Sequence, residues 1–515
     1  MNKYALLSVS DRRNIEKLAA ALNELGYAIL ATKGTSNYLD NIGINNIEIA
    51  RLTRFPEILN GRVKTLHPRI FAGILADREN LEHMKTLEEL GIDCIDLVAV
   101  NLYPFAETWS REGVTHSELI ENIDIGGPSL IRAAAKNYKS VMVLTDPQDY
   151  ESVLAYLQNN KEVPLELRIH LAHKAFEYVS HYDTIIAEYF KSLDSFKENS
   201  PNIPSYYSIS CKLEQPLRYG ENPHQMAGFY LSHQSPLEVL SGKELSFNNH
   251  QDIDATLRGL RLFEQPAVII TKHCNPCGIG VDSDLALAYE KAYKSDTDSP
   301  YGGIVGVNRS LDIKTAELIN RVFTEIIIAP DYETGVLEFL KKKKNRRVIK
   351  YNPELLNKFS EPWELKCLTY GWLLQSWDLV QENPEEWKVV SEQKPEKDEW
   401  EALIFAWKVV SLLRSNAIAI TGKDQVYGLG AGQSSRIDST HLALWKAQRY
   451  GHNLKGAVCA SDGFFPFRDS VDELHKYGIK AIIEPGGSKS DNEVIEACNE
   501  YGITLVFTGY RHFKH

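Results

Sequence analysis

The sequence predicts an α/β protein with two or more domains, and three observations lead to that prediction. The chain has 515 residues, 43% of them hydrophobic, which is enough to bury more than one core. Near its start, short apolar runs alternate with a helical pattern, as in a βαβ unit. Between residues 192 and 216 the sequence turns polar and proline-bearing, and the alternation resumes beyond it. We therefore expect a mostly parallel sheet first and a further α/β region after it.

The first domain is predicted from apolar runs that are separated by helical patterns. Its strands are expected at residues 4–9, 28–31, 97–100 and 141–144. A glycine turn at Gly126 and Gly127 opens one helix, and a helical stretch at about 164–190 closes the domain. We expect domain boundaries at 1–195 and 196–515, with the first domain divided into a core of about 1–146 and a helical extension.

The second domain shows the same alternation with longer connections. Strands are expected at 267–271, 417–421, 457–460, 481–484 and 504–508, and helices at 400–413 and 493–500. The first of these strands ends at Lys272 and His273, where α/β folds commonly place reactive groups. No short-period repeat is visible in the sequence.

Composition and charge exclude several classes of protein. The net charge of -12 argues against a general binder of nucleic acid or membrane surfaces, so clustered cations beside glycines indicate a small anion such as a phosphorylated metabolite. The basic run Lys341 to Lys344 with Arg346 and Arg347 is interpreted as a solvated loop. Seven scattered cysteines, no signal-peptide pattern and no apolar run of spanning length predict a reduced, cytoplasmic protein.

Polar clusters mark a candidate site in the first domain. The turn at residues 32–36 follows a strand and opens a helix, so its backbone N–H groups could bind phosphate, although such a turn is often only a helix cap. Ser8, Ser10 and Asp11 end the neighbouring strand. Further groups able to withdraw charge or move protons are Lys64, Tyr103, Asp124 and Lys136. Together they are expected where an amide carbonyl is activated.

Two short segments of the second domain carry the strongest local signal. Residues 218–225 and 272–278 bring cations, histidines and carboxamides together with Gly and Pro, and core packing explains neither segment. We interpret both segments as parts of one active site.

These segments, in this order, resemble the bifunctional purine biosynthesis family that combines an IMP cyclohydrolase with a 5-aminoimidazole-4-carboxamide ribonucleotide (AICAR) formyltransferase. The resemblance extends over essentially the whole chain and includes residues 8–11, 61–68, 101–105, 124–136, 218–225, 272–278, 428–436, 464–469 and 511–515. It implies a methylglyoxal-synthase-like first domain and a second region of two cytidine-deaminase-like subdomains. It also implies AICAR, formyl-AICAR and IMP as ligands, 10-formyltetrahydrofolate as co-substrate, no metal, and a homodimer with shared formyltransferase sites.

The resemblance assigns residues to both sites. For formyl transfer it implies Lys272 and His273 as the catalytic pair with Asn416. His273 would take the proton of the weakly nucleophilic amine, Lys272 would neutralise the oxyanion or protonate the leaving folate nitrogen, and Asn416 would orient His273 or the substrate. The implied substrate pocket consists of Arg218, Tyr219, Gly302, Arg436, Phe464 and Arg511. The folate side is implied at Ile437, Ser488 and Lys489. For cyclisation it implies Lys136 as the proton-transfer residue, and the nucleotide is expected on Ser10, Asp11, Arg12, Thr32, Lys33, Gly34, Thr35, Arg62, Lys64, Thr65, Asn101, Asp124 and Ile125.

Two positions depart from the family pattern. Lys33 replaces a glycine of the phosphate turn, which either adds a cation or removes a needed positive-φ conformation. Gly463 stands where alanine is common and is expected mainly to loosen the local backbone.

Three other interpretations compete with this one. Cys274 and Cys277 beside His273 could indicate zinc, but no His-x-Glu element with the deaminase spacing precedes them and no second ligand pair is present. Pro276 between the two cysteines is interpreted as part of a turn. The glycines at 428, 430 and 432 lack the spacing of a dinucleotide fingerprint and are interpreted as sites of close backbone approach. The first domain could also be a nucleotide-sensing module without catalysis.

Overall fold

The computed structural model describes residues 3–159, 162–193, 203–232, 235–354, 363–378 and 383–515. The chain divides into two compact units, one ending at Cys211 and the other beginning at Lys212. The predicted boundary between residues 195 and 196 lies outside the described residues. The α/β class expected from the sequence is confirmed, and the two units are described separately below.

The first unit is built on a five-stranded parallel sheet. Its strands are β1 (Lys3–Ser8), β2 (Tyr27–Ala31), β3 (Ile47–Glu48), β4 (Leu97–Val100) and β5 (Met142–Leu144). Their order in the sheet is β3-β2-β1-β4-β5, and every pair is parallel. Strands β1, β2, β4 and β5 are almost fully buried, as expected for a parallel sheet that is covered on both faces.

Helices surround this sheet. They span Ile15–Glu24, Lys33–Asn41, Ile49–Thr53, Pro68–Leu75, Leu81–Leu90, Phe105–Trp109, His116–Glu121, Gly126–Lys136, Tyr150–Gln158 and Leu165–Leu193, with 3-10 turns at Leu59–Gly61 and Pro147–Asp149. The 29-residue helix Leu165–Leu193 packs on the same hydrophobic core as the sheet, through residues such as Leu171, Ala175 and Tyr182. It is therefore part of the first unit and not a separate module.

The second unit contains two six-stranded mixed sheets and two two-stranded ribbons. The strands are β6 (Lys212–Leu217), β7 (Ala227–Leu231), β8 (Leu237–Ser241), β9 (Ala267–Lys272), β10 (Asn275–Val281), β11 (Ile304–Val307), β12 (Ile326–Ala329), β13 (Arg347–Tyr351), β14 (Trp363–Leu368), β15 (Gly371–Ser376), β16 (Lys388–Val389), β17 (Ile418–Thr421), β18 (Val426–Gly430), β19 (Val458–Ser461), β20 (Ala481–Glu484) and β21 (Thr504–Phe507). The helices are Phe247–Leu260, Leu285–Ser295, Ile313–Asn320, Val336–Lys341, Lys397–Val410, Arg436–Arg449, Asp469–Lys476 and Asp491–Tyr501, with a 3-10 turn at Pro384–Glu386.

The two large sheets have the same topology, so the second unit is an internal duplication. One has the order β10-β9-β11-β12-β13-β8 and the other β18-β17-β19-β20-β21-β16, with matching strand directions. A side chain bridges equivalent strands in each repeat. Asn308 Oδ1 accepts from the backbone N–H of Ala267 at 2.8 Å, and Asp462 Oδ1 accepts from that of Ala417 at 3.1 Å.

Glycine pairs allow a helix to pack closely on one strand of each repeat. A Cβ at Gly280 would collide with the carbonyl oxygen of Ala288, and one at Gly430 would collide with that of Ser439. The sequence-based interpretation of the glycines at 428 and 430 as points of close approach is therefore confirmed. The first repeat uses Gly278 and Gly280 in the same way, which the sequence interpretation missed. The interpretation was wrong for Gly432, where a Cβ would meet no atom within 4 Å and the backbone has a φ of 69°.

Two local predictions were wrong. Pro276 was assigned to a turn, but it lies within β10, an edge strand with an irregular register beside that proline, because an edge strand tolerates a missing N–H. Arg346 and Arg347 were expected in a solvated loop, yet both are buried while Lys341 to Lys344 are exposed. Within the described ranges, none of the helices combines the length and apolar character needed to cross a membrane.

Candidate active sites

In the first unit, predicted site residues converge at the carboxyl ends of the neighbouring strands β2, β1 and β4. Thr32 Oγ1 donates to Ser8 Oγ at 3.2 Å, and Thr35 Oγ1 accepts from the backbone N–H of Val9 at 3.1 Å. Asn101 lies on the other side. Its Oδ1 accepts from the backbone N–H groups of Ser10 and Asp11 at 2.6 and 2.8 Å. Parallel strands bring these loops to one edge, and this is where α/β folds bind ligands.

The phosphate turn continues directly into the helix Lys33–Asn41. Thr32 is the N-cap residue but makes no side-chain cap hydrogen bond, and Lys33 and Gly34 are exposed. Lys33 adopts helical geometry and does not belong to the described residues with positive φ. Lys33 was expected either to add a cation or to remove a positive-φ conformation that the turn needs. Neither Lys33 nor Gly34 has a positive φ, so the second alternative is excluded.

Neighbouring cations are engaged within the protein. Arg62 forms an ion pair with Glu121, and the Arg12 guanidinium lies 4.7 Å from the ring centre of Tyr38. Asp11 pairs with Arg13 at 2.6 Å, and this hydrogen bonding lowers the pKa of the Asp11 carboxyl. Arg12 and Arg62 border the cluster without being committed to its centre.

Lys64, Tyr103 and Asp124 form a polar group close to these loops. Lys64 Nζ donates to Tyr103 Oη at 3.1 Å and lies 5.2 Å from the centre of the same ring. Burial raises the pKa of the Asp124 carboxyl, opposed by a 2.8 Å hydrogen bond from the Gly127 N–H and by the positive charge of Lys64. A cation, a phenol and a carboxyl of raised pKa are thus brought together, as proton transfer requires.

Three further predicted residues have different surroundings. Thr65 is buried and its Oγ1 lacks a hydrogen-bond partner among the described residues, while Ile125 is exposed. Lys136 is exposed at the last position of the helix Gly126–Lys136. An eleven-residue helix is about 15 Å long, so Lys136 lies at the opposite end from Asp124. The structure does not bring it to Lys64 and Tyr103.

In the second unit, Lys272 and His273 lie at the tip of the β9–β10 hairpin. Lys272 pairs with Asn275, which leaves only His273 and Cys274 in the turn, with φ of 52° and 60°. Both values fall in the left-handed region that favours Gly or Asn, and a non-glycine residue there costs on the order of 1 kcal/mol or more. The exposed His273 is therefore held in a strained two-residue turn.

Two groups stabilise this hairpin tip. Asp252, on the helix Phe247–Leu260, accepts a 2.6 Å hydrogen bond from the backbone N–H of Cys274. Lys272 Nζ donates to the carbonyl oxygen of Tyr301 at 2.8 Å, directly before Gly302, which has a φ of 74°. Predicted residues Lys272, His273 and Gly302 therefore occupy one region.

Arg218 and Tyr219 follow β6 and are exposed. Burial lowers the pKa of the Arg347 guanidinium, and the charge of Glu325 opposes this shift. The positive charge of Arg218 lowers the pKa of Arg347 further, so the two arginines are close enough to repel each other. Arg347 pairs with Glu325 at 2.8 Å. Sequence reasoning missed Arg347, which had been assigned to the solvated run.

A cavity of about 400 Å³ lies in the second repeat. It is lined by Asn416, Ser434, Ser435, Arg436, Ile437, Phe464, Pro466, Phe467, Asp469 and Phe513. Four of these residues, Asn416, Arg436, Ile437 and Phe464, were predicted for the formyltransferase pocket. The aromatic residues around Phe464 were missed, although the run at 464–469 had been noted.

Arg436 organises the wall of this cavity. Its guanidinium is buried, forms an ion pair with Asp462, and donates to Ser461 Oγ at 2.8 Å and to Asn416 Oδ1 at 2.9 Å. The Asn416 amide in turn donates to the carbonyl oxygens of Gln433 and Ser434. The charge of Arg436 is thus already balanced, and these contacts of the Asn416 side chain do not include His273, one of the two groups that Asn416 was predicted to orient.

The surroundings of Gly463 differ from the expectation of a loosened backbone. A Cβ at this position would lie 2.5 Å from the ring of Phe513 and 2.7 Å from the Arg436 guanidinium. Both residues line the cavity, so glycine leaves room beside it.

The remaining predicted residues lie on exposed loops. Arg511 is exposed and its guanidinium lies 4.6 Å from the ring centre of Phe513, a cavity residue. Ser488 and Lys489 follow β20, where the backbone N–H of Ser488 donates to Asp491 at 2.8 Å.

The comparisons with known proteins identify the family. The family model described as "AICARFT/IMPCHase bienzyme" matches residues 134–446, and the model "MGS-like domain" matches residues 14–129. Proteins named "Bifunctional purine biosynthesis protein PurH" from Acetivibrio thermocellus, Persephonella marina and Thermoanaerobacter sp. are 46%, 45% and 46% identical, each over 100% of both chains. The chain belongs to the AICARFT/IMPCHase bienzyme family. The structure titled "Crystal structure of ForH" is 42% identical over 37% of this chain and 97% of its own, with a TM-score of 0.35, too low to support a fold argument.

Membership of the AICARFT/IMPCHase family gives the protein two activities. It is a bifunctional enzyme of purine synthesis, with AICAR formyltransferase and IMP cyclohydrolase activities and a folate-type co-substrate. The sequence-based recognition of the family, the methylglyoxal-synthase-like first domain and both activities are confirmed. The interpretation of the first domain as a sensor without catalysis does not agree with relatives of full length that are named bifunctional.

The cysteines beside His273 have surroundings that suit thiols. Cys277 Sγ donates to the carbonyl oxygen of Ile270 at 3.4 Å, and burial raises the pKa of the Cys277 thiol to about 12. Zinc binds thiolates, so a thiol that retains its proton is a poor ligand. Within the parts of the chain that the structure describes, no three His, Cys, Asp or Glu side chains form a group suited to a metal.

Proposed function

We propose that cyclisation of formyl-AICAR to IMP takes place in the first unit, at Lys64, Tyr103 and Asp124. The observation that carries this proposal is the Lys64–Tyr103 hydrogen bond beside a carboxyl whose pKa is raised. In the reaction the carboxamide nitrogen attacks the formamido carbon, an oxyanion develops, and water leaves. Lys64 and Tyr103 stabilise the oxyanion, and Asp124 moves one proton from the carboxamide nitrogen and one from the formamido nitrogen to the formyl oxygen, which departs as water.

The nucleotide binds at the carboxyl edge of the first sheet. Its phosphate is received by the uncapped start of the helix Lys33–Asn41 and by the hydroxyls of Thr32 and Thr35, where backbone N–H groups and the helix dipole favour an anion. Lys33 adds a positive charge there. The remaining contacts are assigned to Ser10, Asp11, Arg12, Gly34, Arg62, Thr65, Asn101 and Ile125.

Formyl transfer takes place in the second unit with His273 as the base. His273 removes a proton from the 5-amino group of AICAR as that nitrogen attacks the formyl carbon. The formyl oxygen becomes an oxyanion beside Lys272, and the folate nitrogen departs with a proton. The strained turn and the Lys272–Tyr301 contact support this assignment, because strain at a non-glycine position is typical of functional sites.

The cavity beside Asn416 and Arg436 is assigned to the co-substrate, 10-formyltetrahydrofolate. Its volume and aromatic lining suit a flat bicyclic ring with a few fixed polar groups. Phe464 and Arg436 were predicted on the AICAR side, but they line the same cavity as Ile437, so we assign them to the co-substrate instead. Ile437 and Phe464 pack against the ring, and Ser488 and Lys489 contact its polar tail. Arg218, Tyr219, Gly302 and Arg511 complete the AICAR side, and no metal takes part in either step.

The protein acts in the cytoplasm as a homodimer with shared formyltransferase sites. The ribbon formed by β14 and β15 supports a dimer, because Tyr370, Trp372 and Leu373 expose large apolar surfaces on a two-stranded sheet. Isolated two-stranded ribbons are marginally stable in water, and exposed apolar patches commonly mark interfaces.

An assay with two products tests the assignment of sites. Purified protein receives AICAR and 10-formyltetrahydrofolate with a chelator present, and tetrahydrofolate and IMP are followed separately. His273→Ala is expected to lose formyl transfer at least 100-fold and to keep cyclisation of supplied formyl-AICAR, whereas Lys64→Ala does the reverse. Loss of both activities in either variant contradicts separate sites.

The same assay tests Lys136, because its position at the far end of the helix Gly126–Lys136 leaves its role in proton transfer open. Lys136→Ala is measured beside Lys64→Ala under identical conditions. A cyclisation rate near that of the unmodified protein excludes Lys136 from proton transfer, and a loss as large as that of Lys64→Ala supports the sequence-based assignment.

A further inference from the structure

The long helix Leu165–Leu193 places two tyrosine hydroxyls against the loops that carry the proposed cyclisation residues. Tyr178 and Tyr182 are one helical turn apart and face the same core. Tyr178 Oη accepts a 2.9 Å hydrogen bond from the backbone N–H of Leu102. Leu102 immediately precedes Tyr103, so this contact fixes the backbone from which Tyr103 projects.

Tyr182 makes a bridge on the neighbouring loop. Its Oη accepts from the backbone N–H of Asp124 at 2.8 Å and donates to the carbonyl oxygen of Asn122 at 3.1 Å. The side chain is buried, and burial raises its pKa to about 12, so the hydroxyl keeps the proton that it donates. A phenylalanine at this position would leave the Asp124 N–H without its acceptor.

The helix is anchored at other points along its length. Lys174 Nζ donates to Asp146 at 3.1 Å and to Asp149 at 2.6 Å, before the two tyrosines. Beyond them, Tyr189 Oη lies 2.6 Å from His116 Nδ1 and its ring packs against Phe105. These contacts fix the helix, so the two hydroxyls are presented from a rigid element.

The two family models match the helix and the loops separately. The MGS-like model ends at residue 129, whereas the AICARFT/IMPCHase model begins at residue 134 and includes the helix. The loops with Tyr103 and Asp124 thus lie within the MGS-like region, and the helix that supports them lies outside it.

We propose that Tyr178 and Tyr182 are positioning residues of the cyclisation site, which adapt a methylglyoxal-synthase-like sheet to ring closure by fixing the loops of Tyr103 and Asp124. The inference rests on the proposed assignment of cyclisation to Lys64, Tyr103 and Asp124. Neither tyrosine touches the reacting atoms. Tyr182 acts through the backbone of Asp124, and Tyr178 acts through the backbone of Leu102, which precedes Tyr103.

The test compares three Tyr→Phe substitutions on one helix in the full-length protein. Tyr182→Phe and Tyr178→Phe are each expected to lower kcat for cyclisation of formyl-AICAR about tenfold or more, with little change in KM, because the phosphate turn is untouched. Tyr189→Phe is the matched control, since it removes a hydroxyl that contacts His116 and not a site loop. Formyl transfer should stay within twofold of the unmodified rate in all three.

A second measurement separates positioning from general stability. If Tyr182 acts through Asp124, adding Tyr182→Phe to Asp124→Asn should change kcat less than twofold, and Tyr182→Phe alone should displace the pH profile of kcat. A Tyr182→Phe variant whose kcat and pH profile match those of Tyr189→Phe overturns the proposal. Equal losses of kcat in all three variants, in parallel with lowered Tm, also overturn it, because they indicate a structural role.

Failure of the underlying assignment would look different. If Lys64→Ala, Tyr103→Phe and Asp124→Asn all leave cyclisation intact, the proposed site is wrong and the inference is overturned with it. If those three lose activity and the tyrosine variants do not, only the inference is overturned.

Discussion

Glu484, at the carboxyl end of β20, is a buried carboxylic acid beside the cavity of the second unit. Its Oε2 accepts a 2.6 Å hydrogen bond from the backbone N–H of Phe465, while Oε1 lacks a partner among the described residues. Burial raises the pKa of the Glu484 carboxyl to about 8, and the hydrogen bond from Phe465 opposes this shift. Two facing charges have opposite effects: Asp491 raises the pKa of Glu484 and Arg436 lowers it. At neutral pH the folded protein therefore keeps Glu484 mostly protonated.

This raised pKa predicts a pH-dependent stability. Between about pH 4.5 and 8 the unfolded chain ionises Glu484 and the folded protein does not, so the free energy of unfolding falls as pH rises through this window, by up to about 1.4 kcal/mol per pH unit. Glu484→Gln keeps the acceptor for Phe465 and removes the titration. Its Tm should exceed that of the unmodified protein by a margin that grows from pH 5 to pH 8 and then stays constant.

The comparison is made by thermal unfolding at several pH values, with Glu473→Gln, a half-buried residue of the helix Asp469–Lys476, as control. A constant difference in Tm between Glu484→Gln and the unmodified protein across pH 5–8 would show that Glu484 titrates normally.

At the scale of elements, the β9–β10 hairpin shows what sequence can and cannot predict. The run at 272–278 and the strand before it were enough to predict Lys272 and His273 at a strand end. The left-handed conformation of His273 and Cys274 was not predictable, because Gly or Asn normally marks such a turn in the sequence and neither residue is present at these two positions. A distant side chain, Asp252, stabilises the turn instead, and a long-range contact leaves no local pattern.

The hairpin predicts a specific effect of Asp252 on formyl transfer. Asp252→Ala removes the acceptor of the Cys274 N–H, so the strained turn can relax and His273 leaves its position. We expect formyl transfer to fall about tenfold and cyclisation to stay unchanged in the two-product assay. Asp254→Ala is the matched control, because Asp254 lies on the same helix but pairs with Arg258. Equal activities of the two variants would refute the role of Asp252.

At the scale of the whole molecule, the sequence pattern predicted the two α/β regions, and only the family resemblance implied two similar subdomains in the second; the residues themselves did not reveal that duplication. Matched strand orders and the equivalent Asn308 and Asp462 bridges define the repeat. The two copies share topology with few identical residues, so no repeated string marks them. The short helices between residues 49 and 121 were missed for a related reason, since a helix of five or six residues contains too little periodicity to detect.

The duplicated unit leaves the β14–β15 ribbon paired with neither large sheet, and this predicts its role in dimerisation. Tyr370, Trp372 and Leu373 are 89%, 67% and 54% exposed, which is unfavourable unless another surface covers them. Trp372→Glu combined with Leu373→Glu should shift sedimentation from dimer toward monomer at micromolar concentration. Because the formyltransferase sites are proposed to be shared, formyl transfer should fall in proportion to the dimer fraction while cyclisation persists.

Leu81→Glu, at an 84% exposed apolar position of the first unit, serves as control and should change neither property. A ribbon variant that remains dimeric would exclude the ribbon as the dimer interface. A variant that becomes monomeric but keeps full formyl transfer would exclude shared formyltransferase sites.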